Sequence, residues 1–253
     1  MYALDLCCRA GGASEGLRQA GFIVHGVDIE PQRSYPFPFT CYNALEYPLY
    51  GYDLIWASPP CHAYSEATRF LRKQGKVYPD LVAPIRARLI RSGIPYIIEN
   101  VPGAPLVDPI MLCGSMFGIN VIRHRLFECS FPVPPPPRKH QHTGDEIPVY
   151  GNGTPSWHRK KWAERDAAQC AHTGLEIPVY GHNVPRPKDD RRRGGNGKGC
   201  TVQEQRDAME IQWMKRSDLT QAIPPAYSRY LGRVALAHLA RTRPCPSSAA
   251  SLL

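Results

Sequence analysis

Short, mainly apolar runs alternate with amphipathic stretches along the first half of the chain. Residues 2–8, 22–27, 52–57 and 94–98 carry the near-continuous apolar pattern of strands buried on both faces of a sheet. Residues 15–20, stopped by Gly21, and residues 81–92 read as helices, and strand-like stretches recur at 110–113 and 121–128. This alternation predicts an α/β fold built on a doubly wound, mostly parallel sheet. Residues 62–80 break the pattern. They are polar and basic, with Arg69, Arg72, Lys73, Lys76 and Gly75, and read as a mobile loop.

The character of the chain changes at Pro132. Pro134 to Pro137 form a stiff polyproline connector. Residues 138–200 are rich in Arg, Lys, His, Gly and Pro and poor in apolar runs, and they contain a repeat. Residues 142–151 return as residues 172–181 with Leu175 in place of Asp145 as the only difference. Two copies are too few for a solenoid. Duplication in a tolerant surface segment is the plainer account, and two similar substrate-contacting turns the sharper one. From residue 201 order is expected again, with a helix over 202–209 and a longer one over 226–240. In the second, Tyr230, Leu231, Val234, Leu236 and Leu239 suit packing on the sheet. The expected organisation is an α/β domain over 1–131, a small irregular region over 132–200, a return to the first domain over 201–242, and a frayed tail over 243–253.

With 253 residues, 43% of them hydrophobic, the chain can bury one sizeable core. Its net charge of +9 favours a polyanionic partner, nucleic acid being the commonest. Nine cysteines without a C-x-x-C pair fit a reduced, cytoplasmic protein rather than a disulfide scaffold. Met1 leads directly into a strand pattern without the basic start of a signal peptide, and no apolar run is long enough to span a bilayer.

The chemistry gathers at predicted strand ends. Cys61 follows Ser58-Pro59-Pro60 at the close of the 52–57 run, a thiol held by two rigid prolines. Glu99-Asn100-Val101 closes the 94–98 run. A thiol and an acid at the open edge of an α/β sheet suggest covalent chemistry on an electron-poor ring. The opening adds a ligand site. Arg9-Ala10-Gly11-Gly12-Ala13-Ser14 forms a glycine-bearing turn, and Asp28 stands about 20 residues on, where an acid accepts hydrogen bonds from a ribose. The incomplete G-x-G-x-x-G pattern favours a single nucleoside-like cofactor over a dinucleotide.

Taken in order, these residues resemble the DNA (cytosine-5) methyltransferases, most closely the short phage-type members. Asp5-Leu6-Cys7-Cys8-Arg9-Ala10-Gly11-Gly12 resembles the family's cofactor loop, Ser58-Pro59-Pro60-Cys61 its proline-cysteine motif, and Glu99-Asn100-Val101 its acid motif. Arg123-His124-Arg125 resembles its arginine motif, and Gln221-Ala222-Ile223-Pro224-Pro225 the segment that returns near the cofactor. Residues 129–200 fall where the family keeps its variable target-recognition region.

The resemblance implies a Rossmann-like methyltransferase sheet with a small, irregular, basic target-recognition subdomain. It implies S-adenosylmethionine as cofactor and double-stranded DNA as partner, with the protein acting as a monomer. It implies that Cys61 attacks C6 of a flipped cytosine, that Glu99 holds the N3/N4 edge, and that Arg123 and Arg125 supply a field favouring the thiolate. Asn100 ties down the neighbouring loop. The cofactor residues implied are Asp5, Cys7, Arg9, Ala10, Gly11, Gly12, Asp28, Ile29, Asn43, Pro59, Gln221 and Ala222. The DNA contacts implied are His62, Ser65, Arg69, Arg72 and Lys73.

Several positions depart from the family pattern. Cys7-Cys8-Arg9 stands where Phe-Cys-Gly is usual, which removes an aromatic surface and adds a cation that meets the cofactor carboxylate or closes the site. His62 replaces Gln, Val121 a Gln, Gln221 an Asn, and Asn43 an Asp. Cys7, Cys8, Cys41, Cys113 and Cys129 read as inert buried cysteines, and Arg86, Arg88 and Arg91 as solvated helix charges. His140, His142, Cys170 and His172 carry zinc-competent atoms at a spacing unusual for zinc; solvated histidines near phosphate are the plainer account, and a tetrahedral zinc site the sharper one. An RNA cytosine-5 methyltransferase, a catalytically weakened nucleic-acid binding homologue and a nucleotide-dependent oxidoreductase are the alternatives.

Overall fold

The computed structural model describes residues 1–141, 147–148 and 201–242. The strands are β1 (Tyr2–Leu6), β2 (Ile23–Asp28), β3 (Phe39–Cys41), β4 (Leu54–Ala57), β5 (Tyr96–Asn100), β6 (Ile110–Leu112), β7 (Val121–Ile122), β8 (Arg125–Cys129) and β9 (Ile147–Pro148). The helices are α1 (Gly12–Ala20), α2 (Arg69–Lys73), α3 (Val82–Ser92), α4 (Val202–Met209), α5 (Arg216–Leu219) and α6 (Pro225–Thr242).

Seven strands form one sheet in the order β3-β2-β1-β4-β5-β8-β6, and β7 pairs with β9 separately. The strands from β3 to β5 run parallel to their neighbours, and β8 is antiparallel to both β5 and β6. The strand order reverses between β1 and β4. In open α/β sheets this is where a crevice forms at the carboxyl ends of the strands. The register aligns those ends, since Leu6 pairs with Val27 and Ala57, and Ala57 pairs with Ile98. The residues that follow this row are Cys7, Asp28, Ser58 and Glu99.

The apolar strands are explained by cover on both faces. Leu4, Leu6, Ile55, Ala57 and Ile98 pack with Ile85 and Leu89 of α3. The alternate positions Ala3, Leu54, Trp56 and Ile97 pack with Leu17 of α1 and Tyr227, Leu231, Ala235 and Leu239 of α6. Each fully buried Leu or Ile contributes about 1.5–3 kcal/mol of transfer free energy. Close approach of α1 and α6 depends on Gly16, where an added Cβ would stand 2.1 Å from the Pro225 carbonyl oxygen. A third cluster joins Ala10 of the first loop to Met209, Ile211, Met214, Leu219 and Ala222. Order resumes at residue 201 for a local reason. The Thr201 hydroxyl accepts from the Glu204 N–H, and the Glu204 carboxylate accepts from the Thr201 N–H, a capping box that starts α4.

Several expectations are corrected. The strand expected at 94–98 lies at Tyr96–Asn100, because Pro95 has no N–H for the ladder. Glu99 and Asn100 therefore sit within the sheet, opposite Phe127 and Leu126. The stretch 121–128 breaks at Arg123 and His124, and only its second half enters the main sheet. Residues 62–80 are not a featureless loop. Turns of 3-10 helix at Cys61–Ala63 and Glu66–Thr68 lead into α2, and the Thr68 hydroxyl binds the carbonyls of His62 (2.7 Å) and Ser65 (2.9 Å). On α6 the buried stripe is Tyr227, Leu231, Ala235 and Leu239, with Tyr230, Val234 and Leu236 half-buried beside it.

Arg86 and Arg88 are not simply solvated. Arg86 grips the buried Glu128 through two nitrogens at 2.6 and 2.8 Å, and Arg88 binds the carbonyls of Ala44 and Tyr47. Cys41 is exposed rather than packed. The repeat copies, the tail after 242, and His142, Cys170 and His172 lie outside the described residues, apart from the β9 pair.

Candidate active site

The loop after β1 is held by backbone geometry. Cys7 and Arg9 adopt left-handed φ values of 59° and 47°, followed by Gly11 at 87°. Such a conformation costs a non-glycine residue on the order of 1–2 kcal/mol. It is supported by bonds from the Cys8 N–H to the Val27 carbonyl (3.1 Å) and from the Arg9 N–H to an Asp28 carboxylate oxygen (3.0 Å). The other Asp28 oxygen accepts from the Glu30 N–H at 3.1 Å. Asp28 is thus a brace for two backbone segments, and Ile29 beside it is 70% exposed.

Arg9 spans the rim of this loop. One guanidinium nitrogen lies 2.5 Å from the Gln221 amide oxygen, and another lies 3.5 Å from Glu30. Of the two roles expected for Arg9, this geometry is that of a bridge across the site's edge. Ala10 and Ala222 are buried in one cluster, and the Trp213 indole N–H donates to the Ala10 carbonyl at 2.9 Å.

Beneath the loop, Asp5 is fully buried and accepts a short hydrogen bond from Ser14, whose hydroxyl is also 2.7 Å from the Tyr35 hydroxyl. Its other oxygen meets no donor among the described residues. Burial pushes the Asp5 carboxyl up to about 7, against the opposing effect of Ser14.

The β4 end carries the thiol. The Trp56 N–H donates to the Ser58 hydroxyl at 2.9 Å, and the Ser58 N–H to the Leu6 carbonyl at 3.0 Å. Asn100 donates its side-chain amide to the Pro59 carbonyl at 3.0 Å. Pro59 and Pro60 have restricted φ and no N–H, so this short segment has little freedom. Cys61 then opens a 3-10 turn and is partly exposed.

Glu99, 6% exposed, faces Arg125, whose Nε lies 3.1 Å from its carboxylate. Arg123 is 4% exposed and donates to the Thr220 carbonyl at 2.8 Å, while its own carbonyl accepts from the Tyr227 hydroxyl at 2.7 Å. Burial raises the Glu99 carboxyl, with Arg125, Arg123 and a hydrogen bond from Ser58 opposing it. Burial lowers Arg123 to about 9, assisted by the charge of Arg125. For Cys61, burial again has the largest effect and raises the thiol, Arg125 and Arg123 lower it, and Glu99 raises it. The arginine field expected from the sequence is present, but burial outweighs it, and the net direction is toward the protonated thiol.

The remaining expected contacts are dispersed. His62 is exposed and stacked on Tyr78 with ring centroids 5.5 Å apart. The Ser65 hydroxyl accepts from the Ala67 N–H, Arg69 pairs with Glu66 at 3.1 Å, Arg72 donates to the His62 carbonyl at 3.2 Å, and Lys73 is exposed. These residues form the stretch that follows Cys61. Asn43 caps its own turn, its oxygen accepting from the Leu45 N–H at 3.0 Å and its nitrogen donating to Glu46 at 2.8 Å. Sequence reasoning missed Ser14 and Tyr35 as the partners of Asp5, and Thr220 and Tyr227 as those of Arg123, because these partners meet only through the fold.

No protein-family model matches the chain, and no curated protein matches it. Solved structures do. A candidate DNA modification methyltransferase encoded within an E. coli prophage is similar at 14% identity and a TM-score of 0.58, over 95% of this chain and 99% of that one. The Dnmt2 methyltransferase of S. pombe is similar at 14% identity and 0.54, over 94% and 99%. The methyltransferase EhMeth of Entamoeba histolytica is similar at 13% identity and 0.54, over 94% and 98%. These likenesses show that the described residues share the Rossmann-like α/β fold of those methyltransferase structures.

Proposed function

We propose that this protein is a cytosine-5 methyltransferase acting on double-stranded DNA, with S-adenosylmethionine as its cofactor. The observation that carries the reading is the convergence of Cys61, Glu99, Arg123 and Arg125 at the carboxyl ends of β4 and β5, beside the β1 loop. The net charge of +9 suits a polyanionic substrate, and one of the similar solved structures is named a DNA modification methyltransferase. No described helix is long and apolar enough to cross a membrane.

The β1 loop fits a charged nucleoside ligand. Asp28 sits at its rim with acceptor capacity left on each carboxylate oxygen. Asp5 keeps one buried oxygen without a donor among the described residues, and the exposed Ile29 offers an apolar surface to a flat ring. The Cys7–Gly12 loop, Asp28, Ile29 and Ala222 would hold the cofactor, with Arg9 and Gln221 closing its edge. Bound there, S-adenosylmethionine supplies an electrophilic methyl carbon to C5 of the base.

The chain's own residues do the remaining work. A cytosine stacked in a duplex keeps C6 out of reach, so the base is flipped into the crevice. Cys61 gives up its proton to solvent, the fields of Arg125 and Arg123 favouring the thiolate that forms, and its sulfur bonds to C6 as the C5–C6 double bond opens. Glu99, which burial inclines to keep its proton, gives it to N3 as the sulfur adds. The pair pushed out of the C5–C6 double bond is thereby held as a neutral C4–C5 enamine with a nucleophilic C5, and Glu99 takes the proton back when the thiolate leaves. Arg125 keeps Glu99 oriented, and Arg123 is pinned by Thr220 and Tyr227. After C5 is alkylated, loss of the C5 proton restores the ring double bond and expels Cys61 as thiolate. The Asn100 amide on the Pro59 carbonyl keeps the thiol-bearing turn in register with Glu99.

Transfer of labelled methyl groups to duplex DNA and to tRNA by the purified protein tests the reading. Labelled 5-methylcytosine in DNA is expected, lost in Cys61→Ser by at least about a thousandfold while DNA binding persists. Methylation confined to tRNA would overturn the substrate. Substantial turnover by Cys61→Ser would overturn the nucleophile.

A further inference from the structure

Three metal-competent side chains meet where the sequence shows no metal motif. Cys113 directly follows β6, His124 stands between Arg123 and Arg125, and His140 follows the polyproline connector. One ligand atom from each lies within 4.8 Å of the other two. The two imidazole Nε2 atoms are 3.0 Å apart, with the rings edge to face at 5.1 Å. Cys113 is 0% exposed, His124 2%, and His140 is half-buried.

The dimensions suit a small thiophilic cation. Zinc binds imidazole nitrogen at about 2.0–2.1 Å and thiolate sulfur at about 2.3 Å, which places tetrahedral ligand atoms roughly 3.3–3.6 Å apart. The histidine pair is already near that spacing. A thiolate with two neutral imidazoles is also the donor set that selects zinc over magnesium or calcium.

His140 is brought to this point by its neighbours. Arg138 packs over Gly118, where an added Cβ would stand 2.4 Å from the guanidinium, and the Gln141 N–H reaches the Ser115 hydroxyl at 3.4 Å. The connector therefore docks on the turn Gly114–Phe117 on both sides of His140.

We propose that Cys113, His124 and His140 are three ligands of one zinc site. The metal joins the end of β6, the Arg-His-Arg segment of the active site and the connector leading out of the α/β domain. It fixes the peptide that carries Arg123 and Arg125 and anchors the start of the basic region. The site shares His140 with the quartet weighed from the sequence, whose other three residues lie outside the described residues. It stands independently of the proposed catalytic activity, since its readout is metal binding.

The test uses the full-length, untagged protein, purified without chelator and analysed for metal. It is then stripped and titrated with Co(II), whose bond to one thiolate gives a near-ultraviolet charge-transfer band. One zinc per chain is expected, and a cobalt band that disappears in Cys113→Ser. Because His140 is half-buried, His140→Ala is expected to keep the wild-type circular dichroism while Co(II) binding weakens by more than about tenfold. Wild-type protein that takes up neither metal would overturn the site and leave a simple histidine–histidine hydrogen bond. Equal binding by both variants and wild type would overturn it as well, placing the metal elsewhere.

Discussion

Cys61 combines two opposing influences. Two arginines stand near it, yet burial dominates and raises the thiol. Alkylation of Cys61, followed by peptide mapping because the chain has nine cysteines, is therefore expected to keep accelerating with pH beyond the ordinary thiol range. Arg125 has the largest lowering influence, so Arg125→Gln should slow alkylation several-fold at a fixed pH near 8. An unchanged rate would remove Arg125 from the thiol's field. Asp5 makes a separate prediction. Its carboxyl is pushed up to about 7 in the folded protein, against roughly 3.9 in an unfolded chain. The folded state holds the extra proton, so stability is full below about pH 4 and is lost as pH rises through about 7. Asp5→Asn keeps the neutral form. It should gain on the order of a few kcal/mol over wild type at pH 8 and little at pH 4, read from urea unfolding at both. At this scale the groups proposed to react, Cys61 and Glu99, could be named from the sequence, because they lie just past apolar runs and in motifs that carry the resemblance. Their supports could not. Thr220 and Tyr227 stand 97 and 104 positions from Arg123 and look like ordinary loop and helix residues.

The alternation of apolar and amphipathic stretches revealed β1, β2, β4, β5, α3 and α6, since strands covered on both faces have little choice of composition. It failed where side-chain hydrogen bonds decide local structure. The polar stretch after Cys61 looked like loop but coils around Thr68 and Ser65, and the ladder at β5 started late because of Pro95. Element packing also has its own test. The α1–α6 contact depends on a bare Cα at Gly16. Gly16→Ala gains helix propensity of about 1 kcal/mol, yet the new methyl meets the backbone of Pro225. A net loss of about 1–3 kcal/mol is expected, as a lower urea midpoint with unchanged slope. A stabilised variant would mean that α6 shifts freely on α1.

On the scale of the whole molecule, the reversal of strand order between β1 and β4 brings the Cys7–Gly12 loop, a thiol and an acid to one edge of the sheet. The sequence pointed to that edge through its βαβ opening. It did not foretell the meeting of Cys113, His124 and His140, whose spacing follows no metal motif and whose contact is made by the docked connector. Nor could it say which way the thiol's balance of burial and charge would fall. The account rests on Cys61 adding to C6 of a cytosine and on release requiring loss of the C5 proton. A duplex substrate in which target cytosines carry fluorine at C5 blocks that release. Incubated with S-adenosylmethionine and such DNA, the wild-type protein should form a denaturant-stable adduct that maps to Cys61 by mass spectrometry. Absence of an adduct in protein that binds both DNA and cofactor, or an adduct at another residue, would contradict it.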